Sequence, residues 1–400
     1  MARSGQIKKL LLVAVMVIAV IIAWRLYKFR GILPAVLPPT QAPIAGNSPN
    51  ATGLTIPRGF TIDIFARELG NARDLEFTSG GTLLVSIPQQ GKVLALPNKD
   101  QDDKADSKVE ILSGLNRPHG LAFYKEQLFV AEETRVLRYN WDEQRLSASL
   151  DKVLFDLPAA GRHFTRTIAF ASTGQMFVSI GSTCDVCFEK DPFLAAVVIS
   201  DSEGTNPRLF AKGLRNSVFI TVNPQTQELW ATEMGRDFLG DLKPPDEINI
   251  IRRDKDYGWP LCYGKQVHDT DFDKNIYIQI VPQPPCGTTE IPAFEICAHC
   301  APLGLTFINS AQFPQDWKGD LLVAYHGSWN SSKPVGYKVV RLNVEGEKVT
   351  GEESFIDGFL KGLQVIGRPV DLIFADDGTL YISDDKASVI YILSQNTVDY

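Results

Sequence analysis

Arg73-Asp-Leu-Glu-Phe-Thr-Ser-Gly-Gly-Thr-Leu-Leu-Val-Ser86 is the stretch that decides the fold: a short apolar strand, a Gly turn, and a second apolar strand. The same phrase returns as Pro118-His-Gly-Leu-Ala-Phe-Tyr-Lys-Glu-Gln-Leu-Phe-Val-Ala131 and as Arg166-Thr-Ile-Ala-Phe-Ala-Ser-Thr-Gly-Gln-Met-Phe-Val-Ser179. It recurs as Asn216-Ser-Val-Phe-Ile-Thr-Val-Asn-Pro-Gln-Thr-Gln-Glu-Leu-Trp-Ala-Thr232, as Pro302-Leu-Gly-Leu-Thr-Phe307 with Asp320-Leu-Leu-Val-Ala324, and as Pro369-Val-Asp-Leu-Ile-Phe-Ala-Asp-Asp-Gly-Thr-Leu-Tyr-Ile-Ser383. A hairpin repeated at about 45 to 50 residues is the mark of β-propeller blades, and six copies predict an all-β, six-bladed ring.

The equivalent apolar positions Leu75, Leu121, Ile168 and Phe219 are 46, 47 and 51 residues apart, and the next steps, to Leu305 and Leu372, are 86 and 67. Extra chain therefore sits on blades four and five, where insertions form loops on one face, commonly the binding face. Gly59-Phe-Thr-Ile-Asp-Ile-Phe65 is an alternating strand ahead of the first copy. It is expected to complete the last blade, closing the ring and removing an exposed sheet edge. The propeller is thus expected over 59–395.

Ahead of it, Arg3, Lys8 and Lys9 precede an apolar run from Leu10 to Trp24, and Arg25, Lys28 and Arg30 follow at once. Basic and apolar regions in that order read as an export signal, and with no small-x-small cleavage site the segment 1–30 reads as a signal anchor in preference to a cleaved signal peptide. An apolar run of this length is short for a span, which snorkelling Lys and Arg side chains extend. Equal positive charge on both flanks leaves orientation open. Residues 31–58, with Pro34, Pro38, Pro39, Pro43, Pro49 and Pro57, read as a flexible linker. The expected location is therefore membrane-anchored and extracytoplasmic.

The chain carries 40 basic and 47 acidic residues, a net charge of −7, with Lys and Arg dispersed. That pattern argues against a nucleic-acid partner, and no phosphate-cradling Gly loop opens a helix. All six cysteines lie beyond the anchor. An even number in an exported chain points to disulfides, and the preferred pairs are Cys184 with Cys187, Cys297 with Cys300, and Cys262 with Cys286. The competing reading is a zinc site from the two C-x-x-C pairs.

Three segments place polar side chains where strand-connecting loops meet the central channel. Gly161-Arg-His-Phe-Thr-Arg166 precedes blade three and presents His163, one of five histidines. A neutral imidazole there is suited to accept a proton from a hydroxyl, and equally to cap a loop carbonyl. Gly213-Leu-Arg-Asn216 opens blade four, followed by Glu233-Met-Gly-Arg-Asp237 and by Pro244-Pro-Asp-Glu-Ile-Asn249. Arg215 suits a carboxylate or a polarised carbonyl, the Gly235-Arg236 turn offers backbone oxygens to a hard cation, and Asp246 and Glu247 either join them or face water. His326-Gly-Ser-Trp-Asn330, with Lys338 and Arg341, lies on blade five, and Arg368 enters blade six. His326, Trp329 and Arg368 sit at turns where a flat ligand is stacked or clamped.

At these residues the chain resembles the soluble quinoprotein glucose dehydrogenase and L-sorbosone dehydrogenase family. The resemblance covers roughly 55–395 and rests on Gly213-Leu-Arg-Asn216, on Asp246-Glu-Ile-Asn-Ile-Ile251 with Tyr257-Gly-Trp-Pro260, and on Tyr325-His-Gly-Ser-Trp-Asn330 with Gly336-Tyr-Lys-Val-Val-Arg341. It implies a six-bladed propeller that uses pyrroloquinoline quinone and Ca2+ to oxidise an aldose or sorbosone-like sugar and passes electrons to an acceptor. By the same resemblance His163 is the general base and Arg215 lies beside the reactive quinone carbonyl. Asn216, His326, Trp329, Lys338 and Arg368 fall to the cofactor, with Arg368 clamping quinone carboxylates, and Gly235 and Arg236 supply calcium-binding carbonyls. The family's usual Gly-Pro at the calcium turn is Gly235-Arg236 here. Two other readings share the architecture: a calcium-dependent lactonase or esterase, and a non-catalytic propeller that binds a glycan or protein.

Overall fold

The computed structural model describes residues 2–28, 52–159, 161–275 and 285–396. Each copy of the repeated hairpin forms the two inner strands of a four-stranded antiparallel blade. Blade one is Leu75–Phe77, Leu83–Ile87, Lys92–Leu96 and Val109–Leu112, and blade two is Gly120–Tyr124, Gln127–Ala131, Arg135–Asp142 and Ser147–Asp156. Blade three is Arg166–Phe170, Gln175–Ile180, Ala196–Asp201 and Arg208–Lys212, while blade four is Ile220–Val222, Leu229–Glu233, Asp246–Ile251 and Phe294–Ile296. Blade five runs through Pro302–Phe307, Leu321–Tyr325, Lys338–Glu345 and Lys348–Ile356. Blade six takes Pro369–Phe374, Leu380–Asp384 and Val389–Gln395 from the C-terminal end, and its outer strand is Phe60–Ala66 from the N-terminal end.

That last pairing, Phe60 opposite Gln395 through Ile64 opposite Tyr391, closes the ring with the strand expected to do so. The body begins slightly earlier than its first strand. Thr55 and Asp357 exchange backbone hydrogen bonds of 2.8 and 2.9 Å, and Leu54 is buried. Residues 52–58 therefore pack on the propeller instead of belonging to the linker, because an apolar side chain and a strand-like backbone find partners there. The rest of the expected linker, up to residue 51, lies outside the described residues.

The core is not axial. Apolar side chains fill each seam between neighbouring blades: Ala122 and Phe129 of blade two meet Ile168 and Val178 of blade three, and Trp230 of blade four meets Leu305 and Phe307 of blade five. Between the inner strands, side chains join one blade to the next where backbone pairing stops. Asp74 accepts from the Leu121 amide at 2.7 Å, Asp371 from the Leu75 amide at 2.9 Å, and Glu76 from the Phe123 amide at 3.1 Å. The extra chain of blade four runs between its third and fourth strands and includes Lys255–Asp256, which pairs in parallel with the outer strand of blade three.

At the N-terminus, Ala2–Lys28 is a single α-helix with its large apolar residues from Leu12 to Trp24 exposed. Among the described residues no helix is long and apolar enough to cross a membrane. The three cysteine pairs are joined as expected: Cys184 to Cys187, Cys262 to Cys286, and Cys297 to Cys300. Among the described residues Cys184, Cys187 and Glu189 are the one group spaced to hold a metal, but with those sulfurs bridged they offer no thiolate, and the zinc reading falls.

Candidate functional site

The entry loops of blades three, four and five converge on a cavity of about 190 Å3, lined among others by Arg162, His163, Arg215, Asn216, Gly235 and Trp329. Four of the expected side chains, those of His163, Arg215, Asn216 and Trp329, therefore meet at one place, with the Gly235 backbone in the wall.

His163 is fixed by the start of the loop that follows the second strand of blade three. Its Nδ1 lies 3.1 Å from the carbonyl oxygen of Ser182 and 2.9 Å from its hydroxyl, and that hydroxyl donates to the Cys184 carbonyl at 2.7 Å. A carbonyl only accepts, so Nδ1 carries the proton and Nε2 keeps its lone pair. Among the described residues nothing hydrogen-bonds to Nε2. Burial, with the Arg215 and Arg162 cations adding to it, pushes the imidazole down to about 3, so the ring is neutral.

Arg215 is held on every side. It donates from Nε to the Asp185 carbonyl at 2.9 Å, from Nη2 to the Asp185 carboxylate at 2.7 Å, and from Nη1 to the Met234 carbonyl at 3.3 Å. Its Nη2 also lies 3.3 Å from Asp237, whose same oxygen takes Arg162 at 2.6 Å. Two cations thus face two carboxylates. Burial works against the Asp185 anion, but Arg215 and the Asp237 amide outweigh it and hold that carboxyl below the usual range. Burial, only partly offset by Arg215, and then the Asp185 charge push Asp237 up.

Asn216 donates its backbone amide to Glu233 at 2.9 Å, while its side-chain Oδ1 is buried without a partner. A buried acceptor left open is costly unless a ligand or water completes it. At the next turn, among the described residues, nothing donates to the carbonyl oxygens of Gly235 and Arg236. Gly235 itself is required there, since a Cβ would come within 2.7 Å of Pro244 and 2.8 Å of the Pro245 carbonyl. The Arg236 side chain turns away to pair with buried Asp269 at 2.8 Å. Asp246 and Glu247, expected either at the cation or in water, are both buried and do not face water, and Asp246 lines the cavity. Asp246 caps the Gly235 and Ala301 amides at 2.8 Å each, and Glu247 caps the Gly264 amide at 2.7 Å.

On the outer wall Trp329 is 37% exposed, with Phe238 edge-on at 5.8 Å and the Arg162 guanidinium 5.3 Å from its ring centre. Three further expected residues do not line this cavity. His326 is bonded to Asp385 at 2.8 Å, and Arg368 donates to the carbonyls of His326, at 2.9 Å, and Gly327, forming a half-buried cluster where blades five, six and one meet. Lys338 pairs with Glu352 at 3.2 Å on the outer part of blade five. Sequence reading assigned no role to Arg162, Ser182, Asp185, Asp237, Phe238 or His299. Asp185 had one available signal: it is the first residue inside a C-x-x-C pair beside the site.

A family model described as TrAA12-like matches residues 54–396. An uncharacterized protein from Borreliella burgdorferi is 29% identical over 84% of this chain and 90% of its own length. A pyrroloquinoline quinone-dependent pyranose dehydrogenase of Coprinopsis cinerea is 23% identical over 88% of the chain, which spans just 53% of that protein. Among solved structures, the calcium structure of the Trichoderma reesei carbohydrate-active enzyme of family AA12 superposes with a TM-score of 0.74, at 20% identity, over 89% of this chain and 100% of that one. The match over nearly the whole propeller places the chain in a known family: it belongs to the TrAA12-like family.

Proposed function

We propose that this protein is a quinoprotein sugar dehydrogenase that oxidises the anomeric hydroxyl of an aldose or pyranose, with pyrroloquinoline quinone and calcium at the cavity. The residues present fit that pair: an open acceptor on Asn216, an open imidazole nitrogen on His163, and two unengaged carbonyls at Gly235 and Arg236 suited to a hard cation. When bound, the quinone supplies the two-electron acceptor for the sugar's hydride and calcium acts as a Lewis acid that orients and polarises it.

The chain's own part follows from the geometry. His163 Nε2 takes the hydroxyl proton, and the Nδ1 bond to Ser182 keeps the ring in the tautomer that can do so. Arg215, already immobilised by four hydrogen bonds, presents fixed positive charge that stabilises negative charge developing in the cavity without reorganising. Trp329 and Phe238 offer an exposed aromatic wall for the apolar face of a sugar ring. A lactonase reading has less support, because Asp74, Glu76 and Asp371 each already hold the backbone amide of a neighbouring blade. Three disulfides suit an oxidising, extracytoplasmic location, with the N-terminal helix as the export or anchoring element.

The observation that carries the proposal is the unprotonated His163 nitrogen opening on the same cavity as Arg215 and Asn216. The full chain, loaded with calcium and pyrroloquinoline quinone, is expected to show sugar-dependent bleaching of the quinone absorbance across a panel of aldoses. Stoichiometric quinone binding with no bleaching by any sugar overturns the proposal.

A further inference from the structure

The start of the loop that links the second and third strands of blade three holds both reacting groups. His163 leans on Ser182, whose hydroxyl is tied to the Cys184 carbonyl, and Arg215 grips the very next residue, Asp185, through both its carbonyl and its carboxylate. Asp185 is also the anchor for the Asp237 amide at 2.9 Å and the Trp259 indole at 3.2 Å. Backbone hydrogen bonds hold the loop as far as Thr183, with the Ser182 amide on the Arg215 carbonyl and the Arg162 amide on the Thr183 carbonyl at 2.8 Å each, but among the described residues no backbone amide pairing extends to Cys184 or Asp185. What spans them is the Cys184–Cys187 bridge, with the Glu189 carboxylate accepting from the Thr183 amide at 2.6 Å beside it. A bridge between residues three apart closes a very small loop and removes little freedom from the unfolded chain, so global stability is a poor account of it.

We propose that the Cys184–Cys187 disulfide is a positioning device for the catalytic pair, locking the Cys184 carbonyl and Asp185 so that His163 keeps one tautomer and Arg215 one orientation. The role assigned to those two side chains rests on the proposed activity; the locking itself does not. Both sulfurs belong to partly exposed residues, within reach of a dithiol. One reagent thiolate attacks one sulfur and the second completes the exchange. Two electrons and two protons pass to the cysteines, and the reagent leaves as its cyclic disulfide. Site order then depends on the redox state of the bridge.

The test uses the full chain with 15N-labelled histidine, without cofactor. In the parent, His163 is expected to show a protonated Nδ1 and a bare Nε2. In the Cys184→Ser/Cys187→Ser variant the two nitrogens are expected to average between tautomers and the ring to titrate closer to an ordinary imidazole, whereas Cys262→Ser/Cys286→Ser leaves the His163 signals in place. Unchanged His163 signals in the first variant overturn the proposal. Should that variant not fold, dithiothreitol applied to the folded parent, with the freed thiols located by alkylation, reads the same two signals. In the loaded enzyme, opening the bridge is expected to lower kcat about tenfold to hundredfold, the scale of a misplaced reacting group. A parent that oxidises no sugar but shows the tautomer change sinks the dehydrogenase reading alone; an active parent with unmoved signals sinks the positioning role alone.

Discussion

His163 should be a neutral base far below the pH at which a free imidazole charges. Its site holds it at about 3 against an ordinary 6.5, burial being the largest cause and Arg215 the next. At pH 5 that leaves about 1 in 100 rings protonated, where an ordinary histidine would have about 97 in 100. At about 1.4 kcal/mol per pKa unit the bias against the imidazolium is about 5 kcal/mol at most, less what water at the ring's exposed edge returns. The sign for stability follows. Between pH 3 and 6.5 the unfolded chain binds a proton that the folded one refuses, so this residue lowers stability progressively as pH falls through that window and contributes nothing above it. The assay is the ring Cε1–H shift of the cofactor-free chain from pH 3 to 8, with the signal assigned by its loss in His163→Gln. Arg215→Gln should move the midpoint up, and by less than the whole difference because burial remains. A parent midpoint near 6.5, or one that Arg215→Gln leaves in place, refutes the electrostatic reasoning. In the loaded enzyme His163→Gln should lower the rate about 10²- to 10⁴-fold, as loss of a general base does.

Asn216→Ala removes a buried acceptor that has no partner in the chain, so its melting temperature should stay close to that of the parent while calorimetric affinity for quinone falls; equal affinity would detach Asn216 from the cofactor. Arg236→Met leaves Asp269, which is 2% exposed and accepts from Arg236 at 2.8 Å, with the Asp271 and Phe272 amides but no cation, and should cost about 3 kcal/mol in denaturant unfolding; an unchanged midpoint would show the pair to be idle. Burial raises Glu233 to about 8, so its neutral form contributes stability that is complete below 4.5 and lost as pH rises through 8. Glu233→Gln should therefore unfold at a higher temperature than the parent at pH 8.5 and at the same temperature at pH 4.5, and an identical difference at both would remove the titration from the account.

How far the sequence reached depends on the range of the interaction that places each residue. The six hairpins and the closing strand were legible because strand alternation and turn residues are local, and because a repeat reports its own period. Cys184 with Cys187 and Cys297 with Cys300 were legible by proximity, and Cys262 with Cys286 by sharing one insertion. His163, Arg215 and Asn216 were legible as polar residues in the short loops that lead into an inner strand, three, five and four residues ahead of it. What was not legible is the network behind them. Asp185 reaches Arg215 across 30 residues and Asn330 reaches Asp237 across 93, distances at which spacing carries no information and only the closed ring brings the loops together. His326 and Arg368 show the same limit from the other side. Their turns looked like clamp positions, but Arg368 donates to the carbonyls of His326 and Gly327, and His326 meets Asp385. Their hydrogen bonds are directed at the seams between blades five, six and one. A polar residue in a loop beside an inner strand can thus face the ligand or tie two blades, and which it does depends on whether the neighbouring blade presents a complementary group. Blade six presents Asp385 to His326, whereas among the described residues nothing meets Nε2 of His163.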